Sequence, residues 1–282
     1  MSALHKLMAR IEQAEALDKV AQPVAGLVGR LVKPRPVRNI LSGSYLGHPL
    51  HPLMTDLPIG AWTMSTLLDT VGGRRAEPAA DLLVTAGILT AAPTAWAGLN
   101  DWSDTQGGDR RVGIVHAAAN ASALVCFTAS LVARCSGHRG VAKVIALGGF
   151  GLLMSGGYLG GHLSYSRGVN VNHTAWREGP AEWTGVLAAS ELADDTPQLA
   201  QVGDLSLVLY RSGGAVRALD SVCSHMGGPL DEGTVEDGCI TCPWHGSTFR
   251  LADGSVVRGP ASSEQPAYET RVREGHIEVR RR

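Results

Sequence analysis

The chain has 282 residues, with 25 Lys and Arg against 26 Asp and Glu, a formal net charge of −1, and only 18% charged residues against 44% hydrophobic ones. That balance offers no basic face for neutralising phosphates, which excludes nucleic-acid binding, and the length suits one large domain or two ordinary ones. Five cysteines is an odd number with no framework-like spacing, which fits a reducing compartment.

Residues 3–20 place Leu4, Leu7, Met8, Ile11, Ala14 and Leu17 at helical spacing, with Lys6, Arg10, Glu12 and Lys19 on the other faces. This amphipathic helix either packs on the rest of the protein or lies on a membrane surface. Acidic residues interrupt it and no small-residue cleavage site follows, so it reads as neither a secretory nor a twin-arginine signal. Residues 1–47 are assigned to this helix and a linker.

Residues 82–100, 112–133 and 144–166 contain no Asp, Glu, Lys or Arg. Each is long enough to cross a hydrocarbon core of about 30 Å, which takes about 20 helical residues. A fourth stretch, 49–71, is apolar on nearly all faces but has a shorter charge-free centre between Asp56 and Asp69. Glycines such as Gly156, Gly157, Gly160 and Gly161 allow close helix approach in lipid and form helices poorly in water. The expectation is a four-helix transmembrane bundle over 48–165, in contact with membrane lipid; a soluble, unusually apolar bundle is the alternative.

Four spans put both termini on one side. The N-terminal flank carries Lys6, Arg10, Lys19, Arg30, Lys33, Arg35 and Arg38, and the loop and tail on that side add Arg110, Arg111, Arg167 and Arg177. The opposite loops hold Arg74, Arg75, Arg134, Arg139 and Lys143. The excess of positive charge predicts termini in the cytoplasm of a multi-pass inner-membrane protein.

Histidines 51, 116 and 162 fall at one membrane face under this topology. An imidazole inside a span is costly unless paired, so these are candidate cofactor ligands. Two facing histidines of a bundle can supply both axial ligands of a haem b. His116 and His162 are the expected pair, with His51 as a substitute; the alternative is hydrogen bonding across helices or to Asp56, Asn120 or Ser164.

Residues 166–182 read as a polar linker. From 183 the texture changes to short alternating runs at 183–188, 205–210, 215–219, 256–258, 269–272 and 276–279, separated by Gly-Gly, Asp-Gly and Glu-Gly pairs. That is a small all-β domain over 183–282, giving an α+β multidomain chain. Within it stand CSHMGGPL (223–230) and CPWHGSTF (242–249), which set Cys223, His225, Cys242 and His245 in the frame C-x-H-x16-C-x2-H. Each loop offers one thiolate and one imidazole, so two loops can place both Cys on one iron and both His on the other of a [2Fe–2S] cluster. A structural zinc site also takes two Cys and two His, though common zinc modules order them Cys, Cys, His, His. Cys239, Cys126 and Cys135 are read as structural.

These loops, with STFRLADGSVVRGPA downstream, resemble a complete Rieske-type ferredoxin domain, in which Gly259–Pro260 is similar to the proline loop that shelters the cluster. The resemblance implies one-electron transfer with redox protein partners. Members of cytochrome bc complexes carry an extra Cys in each loop, where this chain has Gly228 and Trp244. Ser247 matches a potential-raising hydrogen-bond donor, but its usual Tyr partner is Phe249. Both departures imply a potential below that of quinol-oxidising members. Residues 48–165 are similar to a bacterial membrane-domain family of unassigned function through GHPLHPLMTDLPIG, WAGLNDW and GGHLSYSRGV.

The expected function is electron transfer between a haem b or quinone in the membrane domain and a cytoplasmic partner. The rival readings are a ferredoxin serving a separate oxygenase, an oxidoreductase subunit that oxidises quinol, and a non-redox membrane scaffold with a metal-stapled β domain. Only 37 residues follow His245, too few for a catalytic domain of an oxygenase in the same chain.

Overall fold

The computed structural model describes residues 3–282, which form two compact units. The first joins the N-terminal residues up to Lys33 with Leu50–Val169; the second joins Pro34–Pro49 with Asn170–Arg282. Seven α-helices are present among the described residues: α1 (Ala3–Glu12), α2 (Asp18–Leu31), α3 (Arg35–Ser42), α4 (Leu50–Val71), α5 (Glu77–Trp102), α6 (Gly107–Cys135) and α7 (Arg139–Gly161). All but α3 belong to the first unit.

Helices α4 to α7 pack as two hairpins, α4 with α5 and α6 with α7. Their shared core is Trp62, Val84, Ala91, Ala123, Phe127, Ala146 and Leu153, with Trp62 stacked on Phe127 at 4.4 Å. Among the described residues three helices are long and apolar enough to cross a membrane, spanning Arg74–Trp102, Gly107–Cys135 and Arg139–Ser166. Helix α4 is not among them, which revises the expected count of four. Its Asp69 is 8% exposed and pairs with Arg134 of α6, so the charge that shortens its apolar stretch points inward. Large side chains such as Leu82, Leu89, Val125, Val144 and Leu147 point outward from the hairpins, as they do where lipid surrounds a bundle and do not where water does. A membrane location is therefore supported.

The predicted helix over 3–20 is broken: α1 stops at Glu12, a short 3-10 turn covers Glu15–Leu17, and α2 follows. Met8 is buried with Val112 and Leu159, so α1 packs on the bundle. Arg111 makes a two-toothed pair with Asp18 at 2.9 and 2.6 Å.

The second unit carries ten strands: β1 (Thr184–Ala188), β2 (Gln198–Val202), β3 (Leu205–Ser212), β4 (Ala215–Asp220), β5 (Thr234–Glu236), β6 (Cys239–Thr241), β7 (Thr248–Arg250), β8 (Val256–Arg258), β9 (Ala267–Arg273) and β10 (His276–Arg281). They form a six-stranded sheet, ordered β1-β10-β9-β4-β3-β2, and a four-stranded sheet, β5-β6-β7-β8. Tight hairpins arise where residues tolerate positive φ: Gly213–Gly214 between β3 and β4, Asp237–Gly238 between β5 and β6, and Glu274–Gly275 between β9 and β10. Leu207, Leu209, Ile277 and Val279 are fully buried in the larger sheet's core.

Two segments that read as linkers fold into this unit. Helix α3 sits on the loop after β8: Asn39 Nδ2 donates to the Val257 carbonyl at 3.2 Å and its Oδ1 accepts from the Gly259 N–H at 2.8 Å. Ser44 Oγ donates to the Ala261 carbonyl at 2.7 Å. On the other side, the His173 N–H donates to the Ser224 carbonyl at 3.0 Å and Arg177 pairs with the buried Asp220 at 2.7 Å.

Candidate metal centre

Two loops of the β unit share one backbone design. In the first, after β4, the Cys223 N–H donates to the Gly228 carbonyl at 2.8 Å and the Gly227 N–H to the Cys223 carbonyl at 2.9 Å. In the second, between β6 and β7, the Cys242 N–H donates to Ser247 at 2.8 Å and the Gly246 N–H to Cys242 at 3.1 Å. Gly227 and Gly246 have φ of 76° and 74°, a left-handed conformation that favours glycine.

The loops bring the four sequence-selected side chains together in two pairs. Cys223 and Cys242 are buried at 1% and 3% exposure, with their thiols against one another. His225 and His245 stand edge to face with ring centroids 5.1 Å apart. The contact with Cys223, together with the backbone N–H groups of Trp244 and His245, holds the Cys242 thiol low, at about 7. The same contact, then burial, pushes Cys223 up, while the N–H groups of His225 and Met226 oppose it. Burial holds His225 well below the usual imidazole range, assisted by His245 and Arg38.

The rest of the site fixes the loops. Gln265, 1% exposed, accepts from the Ser224 N–H at 2.9 Å and donates to the Asp220 and Val222 carbonyls at 2.8 and 2.7 Å. Arg258 donates to the Gly246 carbonyl at 2.7 Å, and Ser247 Oγ accepts from the Ala261 N–H at 3.0 Å. None of Gln265, Arg258, Asn39 or Ser44 was singled out from sequence, because each acts across turns with no periodic pattern to mark it.

The donor set fits a binuclear cluster. Among the described residues no group of three His, Cys, Asp or Glu side chains is placed to hold a single metal ion. A pair of neighbouring cysteines and a pair of neighbouring imidazoles suit two metals. A Cβ on Gly228 would lie 2.8 Å from Cys242 Sγ, so this loop position is kept clear beside the sulfur.

Comparison with known proteins agrees. Residues 182–269 match the model of the Rieske [2Fe-2S] domain. The chain is 32% identical over 99 residues to the anthranilate 1,2-dioxygenase ferredoxin subunit of Burkholderia cepacia, covering 35% of this chain and 92% of that one.

The chain belongs to the Rieske [2Fe-2S] domain family.

It is also 33% identical over 98 residues to ferredoxin CarAc of Metapseudomonas resinovorans, covering 34% of this chain and 92% of that protein. The solved ferredoxin of carbazole 1,9a-dioxygenase from Nocardioides aromaticivorans IC177 is 25% identical, covers 36% of this chain and all of its own, and superposes with a TM-score of 0.34. Residues 47–173 match the model of a predicted membrane protein family, DUF2231. This Rieske domain holds no disulfide between its loops, all five cysteines of the chain being free. Trp244 is 57% exposed at the tip of the second loop, and Phe249 is fully buried.

In the helical unit the histidines are arranged differently from expectation. His116 meets His51, with ring centroids 6.3 Å apart, while His162 lies 2.9 Å from Glu12 of α1. His162 sits in a π-helical turn beyond α7. Membrane depth, which sequence gives, does not fix which way a ring points around its helix.

Proposed function

We propose that this chain is a membrane-anchored one-electron carrier in which Cys223, Cys242, His225 and His245 would hold a [2Fe–2S] cluster. The pairing of two buried thiols and of two imidazoles on adjoining loops carries this reading. When bound, the cluster supplies a one-electron couple at a potential raised by its neutral imidazole ligands. The protein's part is to stabilise the electron-rich state. Backbone N–H groups of His225, Met226, Trp244 and His245 point at the cysteine sulfurs, and such donors favour added negative charge. Helix α3 and Gln265 hold the loops in place, and the more open His245 and exposed Trp244 form the route outward.

The carrier works between a haem b or quinone in the helical unit and a redox protein on the cytoplasmic side, with the basic N-terminal flank as the reason for that orientation. The ferredoxin names of its relatives support a second reading, in which the acceptor is a separate oxygenase. The test is a visible and EPR spectrum of detergent-purified full chain, oxidised and reduced. The expected result is a Rieske-type EPR signal on one-electron reduction, with about two irons per chain. Protein purified without iron would move the function to a scaffold stapled by another metal.

A further inference from the structure

The two hairpins of the helical unit repeat one another. His51 and His116, Ser65 and Ser130, and Asp69 and Arg134 are each 65 positions apart, the first of each pair on α4 and the second on α6. On the return helices, Ala80 and Ala142, Gly87 and Gly149, and Gly98 and Gly160 are each 62 positions apart. The interactions repeat with the residues. Ser65 Oγ donates to the Ala80 carbonyl at 3.0 Å, and Ser130 Oγ to the Ala142 carbonyl at 2.7 Å. His51 Nδ1 bonds the Thr94 carbonyl at 3.0 Å, and His116 Nδ1 the Gly156 carbonyl at 2.8 Å, again 62 positions on.

Equivalent residues meet one another between the hairpins. Asp69 pairs with Arg134, Trp62 stacks on Phe127, and His51 faces His116. Each imidazole lies against the glycine of its own hairpin, where a Cβ would be 2.7 Å from His51 Cε1 at Gly98 and 3.0 Å from His116 Cε1 at Gly160. The helical unit is thus a pair of matching hairpins with a histidine pair between them.

We infer that this pair is the axial ligand set of a haem b. A carbonyl oxygen only accepts, so both neutral rings must carry their proton on Nδ1, which puts the lone pair of each ring on Nε2, the atom that can bind a metal. Two trans imidazoles with metal–nitrogen bonds of about 2 Å have centroids roughly 6 Å apart, and these lie at 6.3 Å. A bare cation needs further ligands, and among the described residues no third His, Cys, Asp or Glu joins the two. A porphyrin brings four equatorial nitrogens of its own and needs only this pair. Asn120 Nδ2 stands 3.3 Å from His116 Nε2 but is anchored to its own helix by the His116 carbonyl at 3.0 Å. The inference rests on the relay reading for its purpose, yet it has a separate readout.

The experiment is a reduced-minus-oxidised spectrum and haem assay on detergent-purified full chain expressed with a haem precursor. The α-band of bis-imidazole haem is expected in the native chain and lost, at least tenfold, in His51→Ala and in His116→Ala, with the cluster EPR signal retained as evidence of folding. His162→Ala keeps the band. Gly98→Ala, which crowds the His51 ring without removing a ligand, lowers haem content several-fold. Loss of the band in His162→Ala, or its survival in either of the other two alanine variants, overturns the assignment. A native chain with the cluster signal and no α-band overturns the haem site and leaves the Rieske reading standing.

Discussion

Gly228 and Cys242, from different loops, are held so close that a methyl group on the glycine would stand 2.8 Å from the cysteine sulfur. The neighbouring Trp244 ring lies 3.1 Å from the same point, so the crowding has no easy relief. Gly228→Ala is expected to destabilise the site by about 1–3 kcal/mol, the usual cost of overpacking. Iron content and the midpoint of thermal unfolding measure it; a variant with full iron and unchanged stability would show that the loops yield freely here.

Cysteine substitutions should divide sharply. Cys223→Ser and Cys242→Ser abolish the EPR signal, each removing a thiolate from the proposed cluster. Cys239→Ser leaves it within about ten per cent, because that thiol faces its own turn, 3.7 Å from the Asp237 carbonyl. Signal loss in the Cys239 variant alone would redraw the ligand set.

Asn39 bridges two backbone groups more than two hundred residues away. Asn39→Ala leaves the buried Gly259 N–H unpaired, which costs roughly 1–3 kcal/mol. The expected result is a lower unfolding midpoint and faster bleaching of the cluster on dilution into chelator. Equal bleaching rates in the two proteins would mean that α3 does not protect the site.

The potential is expected in the lower half of the roughly −150 to +300 mV range of Rieske centres. The loops have no disulfide, and position 249 holds a buried phenyl ring instead of a phenol. Phe249→Tyr should raise the midpoint. A strongly positive value in the native chain, read by redox titration of the EPR signal, counts against this.

Legibility in the sequence tracked how local each signal was. The cluster frame is carried by eight-residue loops, so Cys223, His225, Cys242 and His245 could be named outright, and the Gly-Gly, Asp-Gly and Glu-Gly turns marked three hairpins. The three-residue strands β5, β6 and β7 are too short to show an alternation. In the helical unit, charge-free windows marked α5, α6 and α7, but nothing near Asp69 announces that Arg134 neutralises it from another helix. The His116–His162 expectation failed as a contact for a related reason: depth along a helix is visible in a sequence and azimuth is not. The duplication was equally hidden, since its matched positions are scattered and several exchange an acid for a base.

That exchange has its own consequence. Asp69 answers Arg134 and Glu77 stands opposite Arg139, its counterpart 62 positions on, so the hairpins are alike in backbone and opposite in charge. Two copies of the first hairpin would bring carboxylate against carboxylate, and two of the second guanidinium against guanidinium, both costly away from water. Each half can therefore tell its sibling from itself. Tandem linkage in one chain then delivers one of each, and the two histidines meet as a pair that neither half could assemble alone.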